Sequence, residues 1–431
     1  MNKSAIMRGI AAAGCVLLAL GLFGCSGGRY GEVVNNNDTA KEKVMLTFFG
    51  NKEDVGAKSV IESFIGSFME QHENVYVSYE AIKGNDYFKT LRKRMNSDHL
   101  DDIIIVNHDI FLELHKAGQL ASLQDLPSIQ KIDNSLGFCD KEGNIYWVPT
   151  TVSAFGLYCN EDLLKQHNQK IPRNLQEWRE VNDYFISKGI TPVIANNDIS
   201  LKTMAIGVSF YGGYKDGSIT KLYADLNSGE QSLGRALTPG FKLVEEFIRK
   251  GYVDKDKALL TEKTRDDIND FLKGKSPFML TGAWAANRVK NKKPAFTFSV
   301  QPLPVFEDSS ILVVNADTRL AVNGKSKHVK QAKEFVDSFC SADNLERFCQ
   351  EQASFNPSPG GKSAKVTEIA SLHAAYQAKQ YAVGSDDRLL LPIWELTRKA
   401  VVAMLKGADA AQAMQDMDKA AAEYRKQQLV K

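Results

Sequence analysis

The sequence predicts an α/β fold of at least two lobes behind a removable leader, and three observations carry that reading. Between Val44 and Val106, apolar runs alternate with stretches of helical spacing in the order strand, helix, strand, helix, strand. That order calls for a parallel sheet with right-handed crossovers. The chain has 431 residues, more than the ~250 to 300 at which a single core stops growing. The first 25 residues stand apart from the rest. Lys3 and Arg8 lead an apolar run from Ile10 to Phe23, broken only by glycine, that ends in Leu22-Phe23-Gly24-Cys25. The run is shorter than the ~20 residues a spanning helix needs, and a charged head with an apolar middle is the layout of a secretory leader.

A small residue followed directly by Cys at the end of such a leader resembles the lipobox of bacterial lipoproteins. The resemblance implies a signal peptide over residues 1–24, acylation of Cys25, and a body held by lipid at a cell membrane on the extracellular or periplasmic side. Residues 25–43 are rich in Gly, Asn and charge without apolar periodicity, as expected of a flexible tether. The leader carries two basic residues and no acidic one, so the mature chain has a formal net charge of zero against +2 for the whole. That balance points to no polyanionic partner, and no nucleic acid is expected. Of six cysteines, Cys139, Cys159, Cys340 and Cys349 are left besides Cys15 in the leader and Cys25. Outside the cytoplasm they allow three pairings. Cys139 with Cys159 and Cys340 with Cys349 are the easier pairs, and free buried thiols are an equal alternative.

In chain order, Val44 to Phe49 is nearly continuous in apolar residues, as a strand covered on both faces would be. Val60, Ile61, Phe64, Ile65 and Phe68 recur at helical spacing, Val75 to Tyr79 alternates, Tyr87 to Met95 is helical and Ile103 to Val106 is a buried strand. Gly143-Asn144 makes a turn into one extended run, Ile145 to Pro149, and then a second, Ala154 to Cys159. A helix begins between Pro172 and Trp178. Helices then dominate, with breaks at Gly212-Gly213 and near Asn227-Ser228-Gly229. Phe278 to Leu280 is a short strand, Ile311–Asn315 and Leu320–Val322 are strands separated by a bend at Asp317-Thr318, and Val329–Phe339 and Ala408–Tyr424 are helices. Ligands of parallel sheets lie at the carboxyl ends of strands, which singles out Gly50-Asn51-Lys52-Glu53-Asp54 and Asn107-His108-Asp109.

The order of segments resembles the extracellular solute-binding proteins of carbohydrate ABC importers, the family 1 group that includes the maltose-binding protein. The resemblance rests on Tyr146-Trp147-Val148-Pro149 through Leu157 to Leu164 with its Asn160-Glu161-Asp162, on Lys273 to Trp284 (KGKSPFMLTGAW), and on Leu320-Ala321-Val322-Asn323 followed by Lys325-Ser326-Lys327 and the helix holding Ala332 to Phe335. It covers nearly all of residues 44–425. It implies a type II periplasmic-binding-protein fold with hinge crossovers near Val152–Phe155, Ile311–Asn315 and Asn356–Pro359. The lobes would comprise residues 44–152 with 313–356, and 153–312 with 357–431. It further implies a monomer that binds a sugar between the lobes and serves the permease subunits of an importer, with no cofactor.

Sugar rings offer apolar faces to aromatic surfaces and hydroxyls to directed polar groups. Trp284 stands where the family places a stacking tryptophan. Trp394 and Arg398 lie one helical turn apart, on one face, and match a tryptophan and arginine that line the family's cleft. Asp109, in His-Asp-x-Phe, matches a sugar-binding aspartate. Asn51, Ser153 and Asp317 complete the expected set. The pattern departs at Ile110, where a basic residue is usual, and at Ser153, where an acidic one is, so maltose itself does not carry over. Each residue has a plainer reading: Trp284 and Trp394 as core, Asp109 as the N-cap before Phe111 to Lys116, and Lys52-Glu53-Asp54 as a solvated loop. A binding protein for another solute, such as a glycerophosphodiester, polyamine or peptide, and a surface carbohydrate-active enzyme are the alternatives. No local signature supports an enzyme: Gly207 to Gly212 misses nucleophile-elbow spacing, Gly361-Lys362-Ser363 lacks the upstream glycine of a phosphate loop, and the nearest histidines, His108 and His115, lack zinc spacing.

Overall fold

The computed structural model describes residues 43–132, 143–263 and 265–429. The leader, Cys25, the tether up to Glu42 and Cys139 lie outside them. In chain order come β1 (Val44–Gly50), α1 (Val55–Gln71), β2 (Val75–Ala81), α2 (Gly84–Asn96), β3 (Ile103–Val106) and α3 (His108–Lys116). Then follow β4 (Trp147–Asn160), α4 (Glu161–Gln166), α5 (Leu175–Ser187), β5 (Val193–Ile194), α6 (Ser200–Asp216), α7 (Ile219–Ser228), α8 (Leu233–Arg249), α9 (Lys255–Leu260) and α10 (Asp266–Phe271). The chain ends with β6 (Phe278–Gly282), α11 (Ala285–Asn291), β7 (Phe298–Gln301), β8 (Leu312–Val322), α12 (Val329–Phe339), α13 (Ala342–Glu351), α14 (Ala370–Gln377), β9 (Tyr381–Val383), α15 (Ile393–Leu405) and α16 (Ala410–Leu429).

The parallel sheet predicted at the N-terminus is present: β1 pairs in parallel with β2 and with β3. β1 is not covered on both faces along its whole length. Phe48 to Gly50 are buried, but Met45 and Thr47 stay exposed, so one face of its first half meets solvent. Two long antiparallel strands organise everything else. β4 and β8 pair from Trp147 opposite Ala321 to Phe155 opposite Val313. One end of β8 pairs with β3 and the other with β9, while the far end of β4 pairs with β6 and β7. Each strand therefore belongs to two groups of strands, and the junction runs through Thr151 to Ser153 and Asn315 to Asp317. Phe355 bridges to Val152 at the same level.

The expected separate runs on either side of Thr150 and of Asp317-Thr318 are thus single strands. Thr318 takes a positive φ of 43°, and its carbonyl accepts the Thr150 hydroxyl at 2.9 Å; the ladder skips this one pair and resumes at Thr151 opposite Asp317. Alternation along β4 splits the core: Ala154 and Tyr158 pack into one cluster with the N-terminal strands, and Phe155, Leu157 and Cys159 into another under α5 to α8 and α15.

Gly212-Gly213 does not break a helix. α6 runs to Asp216, and the stop comes at Gly217, whose left-handed φ of 81° ends it. Gly229 ends α7 in the same way. Cys340 and Cys349 are not bridged; with Cys159 they are buried free thiols. Each sits in an apolar cluster or against backbone carbonyls, the Cys349 sulfur 3.4 Å from the Phe355 oxygen, and burial pushes the Cys349 thiol up to about 12. Among the described residues no helix is long and apolar enough to cross a membrane.

Candidate functional site

β1 and β3 are parallel neighbours, so their carboxyl ends open on the same edge of the sheet, and both loops predicted there carry buried polar groups. Tyr87 fixes these ends: its hydroxyl lies 3.0 Å from the Phe49 carbonyl and 2.7 Å from that of Ile105. Beyond β1, the Asn51 side-chain oxygen is buried with no hydrogen-bond partner. Lys52 and Asp54 are not simply solvated. The Tyr79 hydroxyl donates to the Lys52 carbonyl at 3.1 Å, and the Lys52 ammonium donates to Gln352 Oε1 at 2.8 Å. Burial makes this ammonium easier to deprotonate, while Asp317 pulls the other way. Asp54 forms an ion pair with Arg288 of α11; Glu53 alone is exposed.

Beyond β3, the N-cap of α3 is Asn107, not Asp109: Asn107 Oδ1 accepts from the Ile110 amide at 2.8 Å. Asp109 sits in the first turn of α3, 6% exposed, and spends only one oxygen. Its Oδ2 accepts from the Glu395 amide at 3.0 Å, and its Oδ1 is buried without a partner. Burial raises the affinity of this carboxylate for a proton, against the pull of His108 and Lys202.

Each loop therefore faces the start of a helix that carries a tryptophan. Trp284 immediately precedes α11, and Trp394 is in the first turn of α15. Both rings are half-buried and flank Phe155 of β4, Trp284 edge-on at 5.3 Å between centroids and Trp394 tilted at 5.9 Å. The glycine two residues before Trp284 has a steric reason. The indole folds back over Gly282, where a Cβ would lie 2.2 Å from its ring.

A third element converges on Trp394. Lys202, in the first turn of α6 and 1% exposed, places its ammonium 4.3 Å from the Trp394 ring centroid and 3.3 Å from the Trp394 carbonyl. It pairs with Asp198 at 2.6 Å, and Lys263 pairs with the same carboxylate. Although burial opposes its charge, the two lysines hold Asp198 well below the usual carboxylate range. Burial and the neighbouring Lys263 make the Lys202 ammonium easier to deprotonate than usual.

Ser153 is buried at the strand junction opposite Asn315 and, two residues from Phe155, shares its face of β4. Asp317 lies at the same junction and accepts from the Thr318 amide at 2.7 Å. Arg398 does not join Trp394; its guanidinium binds Glu395 at 2.9 and 3.0 Å. The sequence reading omitted Phe155, Lys202 and Arg288. Only the Asp198-x-x-x-Lys202 spacing hinted at one of them. A surface depression of about 600 Å³ lined by Asp225, Gly229 and Arg235 shares no residue with this arrangement.

The sequence profile of the family described as bacterial extracellular solute-binding protein matches residues 52–345. A multiple sugar-binding protein from Streptococcus mutans serotype c is 21% identical over 327 residues, which cover 72% of this chain and 74% of that one. Among solved structures, the solute-binding protein RafE in complex with raffinose superposes with a TM-score of 0.70 at 18% identity, covering 88% of this chain and 98% of its own. A chitin oligosaccharide binding protein superposes with a TM-score of 0.73 at 16% identity, covering 89% and 99%. These neighbours have the two-lobe solute-binding fold.

Proposed function

The chain belongs to the bacterial extracellular solute-binding protein family, a family of binding proteins and not of enzymes, and on that premise we propose that it captures a sugar or oligosaccharide and delivers it to the permease of an ABC importer. One observation carries the reading. Trp284 and Trp394, from separate helix starts, flank one phenylalanine, while Asn51 Oδ1 and Asp109 Oδ1 are buried acceptors without partners on the two facing loops. Aromatic faces suit the C–H faces of sugar rings, and lone acceptors suit hydroxyl donors. A buried oxygen without a partner is costly, and a sugar hydroxyl would relieve that cost.

The lobes we propose, residues 44–152 with 313–356 and residues 153–312 with 357–431, divide where β4 and β8 pass between strand groups. They would close on the ligand by bending at Thr151–Ser153, Asn315–Asp317 and Phe355. Closure is favoured only by contacts made in the closed form; Arg288 with Asp54 and Asp109 with the Glu395 amide, which link the two proposed lobes, would be among them. A lipid on Cys25 and a tether over 25–43 would keep this body near its permease and raise its effective concentration there. The relatives' sugars define the first probes. A ligand that binds only the folded state raises the melting temperature by mass action, so a thermal-shift screen over raffinose, related galacto-oligosaccharides and chitin oligosaccharides should yield at least one concentration-dependent shift. Shifts produced instead by peptides or polyamines would overturn the sugar reading.

A further inference from the structure

Behind Asp109 lies a buried polar cluster that sugar binding does not call on. His108 is 2% exposed, and both of its ring nitrogens face oxygen atoms. Nδ1 is 2.8 Å from Asp387 Oδ1 and Nε2 is 3.1 Å from the Leu391 carbonyl oxygen. A backbone carbonyl can only accept. The Asp387 carboxylate also accepts on both oxygens: Arg319 Nη1 donates to its Oδ1 at 3.0 Å and the Trp147 indole N–H to its Oδ2 at 2.7 Å. A neutral imidazole has one N–H and would turn a lone pair toward one of these oxygens. Only the imidazolium satisfies both.

The charged groups around the ring support the same form. Asp387 follows β9, Arg319 comes from β8 and Asp109 is the next residue of α3. Asp387 and Asp109 favour the protonated ring and Arg319 opposes it, and a charge in a site this dry needs such partners. The position of His108 makes its charge consequential. It pins the turn that bears Asp109 to the segment 387–391 that leads into α15, and Asp109 in turn holds the first turn of α15, where Trp394 stands.

We infer that His108 is a positioning residue held as a doubly protonated imidazolium, and that its proton fixes Asp109 against the Trp394-bearing start of α15. The functional part of this inference rests on the sugar-binding reading of Asp109 and Trp394; the protonation itself does not. Burial alone would lower the affinity of His108 for its proton, but the hydrogen bond and charge of Asp387 raise it above the ordinary value. The tie is therefore fully present below about pH 6.5, and it weakens as the pH rises through the folded-state value.

The test needs no ligand. Imidazole nitrogen NMR on the mature protein, with His108 assigned by its disappearance in His108→Gln, should show a titration midpoint above 6.5, with both ring nitrogens protonated below that midpoint. The Glu395 amide, which reports the Asp109 contact, should show an inflection at the same midpoint in the wild type and none in His108→Gln. A midpoint at or below 6.5 overturns the inference, as does a Glu395 inflection that survives in His108→Gln. Should His108→Gln fail to fold, His108 is assigned by correlating its ring with its own backbone resonances, and the wild-type titration decides: matching midpoints for the ring and for Glu395 support the coupling, and differing midpoints refute it. A sugar screen that finds no ligand would leave the NMR result standing and would count against the binding reading alone.

Discussion

Lys202→Met separates the charge of Lys202 from its bulk. Methionine keeps an unbranched chain of similar volume, so the packing under α6 is largely preserved while the ammonium is lost. Breaking a buried pair by removing one partner costs about 3–5 kcal/mol. Here Asp198 keeps Lys263, which places the loss at the lower end, and a cation over the Trp394 face contributes about 1 kcal/mol of it. The expected destabilisation is about 3 kcal/mol, a large part of the ~5–15 kcal/mol that a folded protein has. Urea unfolding at pH 7 measures it. Asp198→Asn combined with Lys202→Met should cost less than the two single losses added, because both remove the same buried pair. The pH dependence follows with a definite sign. Asp198 is held below its ordinary value, so its contribution is complete above about pH 4 and disappears as the pH falls through the folded-state value. In Lys202→Met that value rises, and acid unfolding begins at higher pH. A loss under about 1 kcal/mol with an unchanged acid limb would refute the idea that this pair is a desolvated anchor of Trp394.

Two further substitutions test packing at the site and beneath it. Gly282→Ala puts a methyl where the Trp284 ring lies, so the indole must swing away; sugar affinity should fall on the order of tenfold with little change in melting temperature, as read by calorimetric titration. Gly240→Ala drives a Cβ to within 2.0 Å of the Ala205 carbonyl where α8 crosses α6. It should destabilise by about 1–3 kcal/mol in urea while leaving the sugar site chemistry intact.

The elements that were legible in the sequence are those whose pattern is local. Ile103 to Val106 could only be a buried strand, and Val75 to Tyr79 shows its two faces by alternation. The long strands were not legible because Pro149-Thr150 and Asp317-Thr318 look like interruptions. Their pairing resumes past one skipped pair because each supports the other: the Thr150 hydroxyl caps the Thr318 carbonyl, which nothing in either segment alone reveals. Gly212-Gly213 resembled a break because glycine weakens helices by about 1 kcal/mol, yet Gly213 packs against the Ile219 backbone at 3.3 Å from an added Cβ, and tertiary contact overrides propensity. At the site, Trp284 and Trp394 were visible through their motifs. The pairing of His108 with Asp387 spans 279 positions and that of Lys202 with Trp394 spans 192; partners so far apart leave no spacing to read. Arg398 shows the converse: one turn from Trp394, it is captured by a nearer carboxylate on its own helix.

The most direct test of sugar capture is isothermal titration of the mature protein with the saccharide giving the largest thermal shift, repeated on Trp284→Ala and Trp394→Ala. A sugar ring stacked on one indole face covers about 100 Å², worth roughly 2.5 kcal/mol at about 25 cal/mol/Å², so each variant should bind roughly 70-fold more weakly with one site per chain in the wild type. Undiminished binding in both variants would contradict the placement of the sugar between Trp284, Phe155 and Trp394.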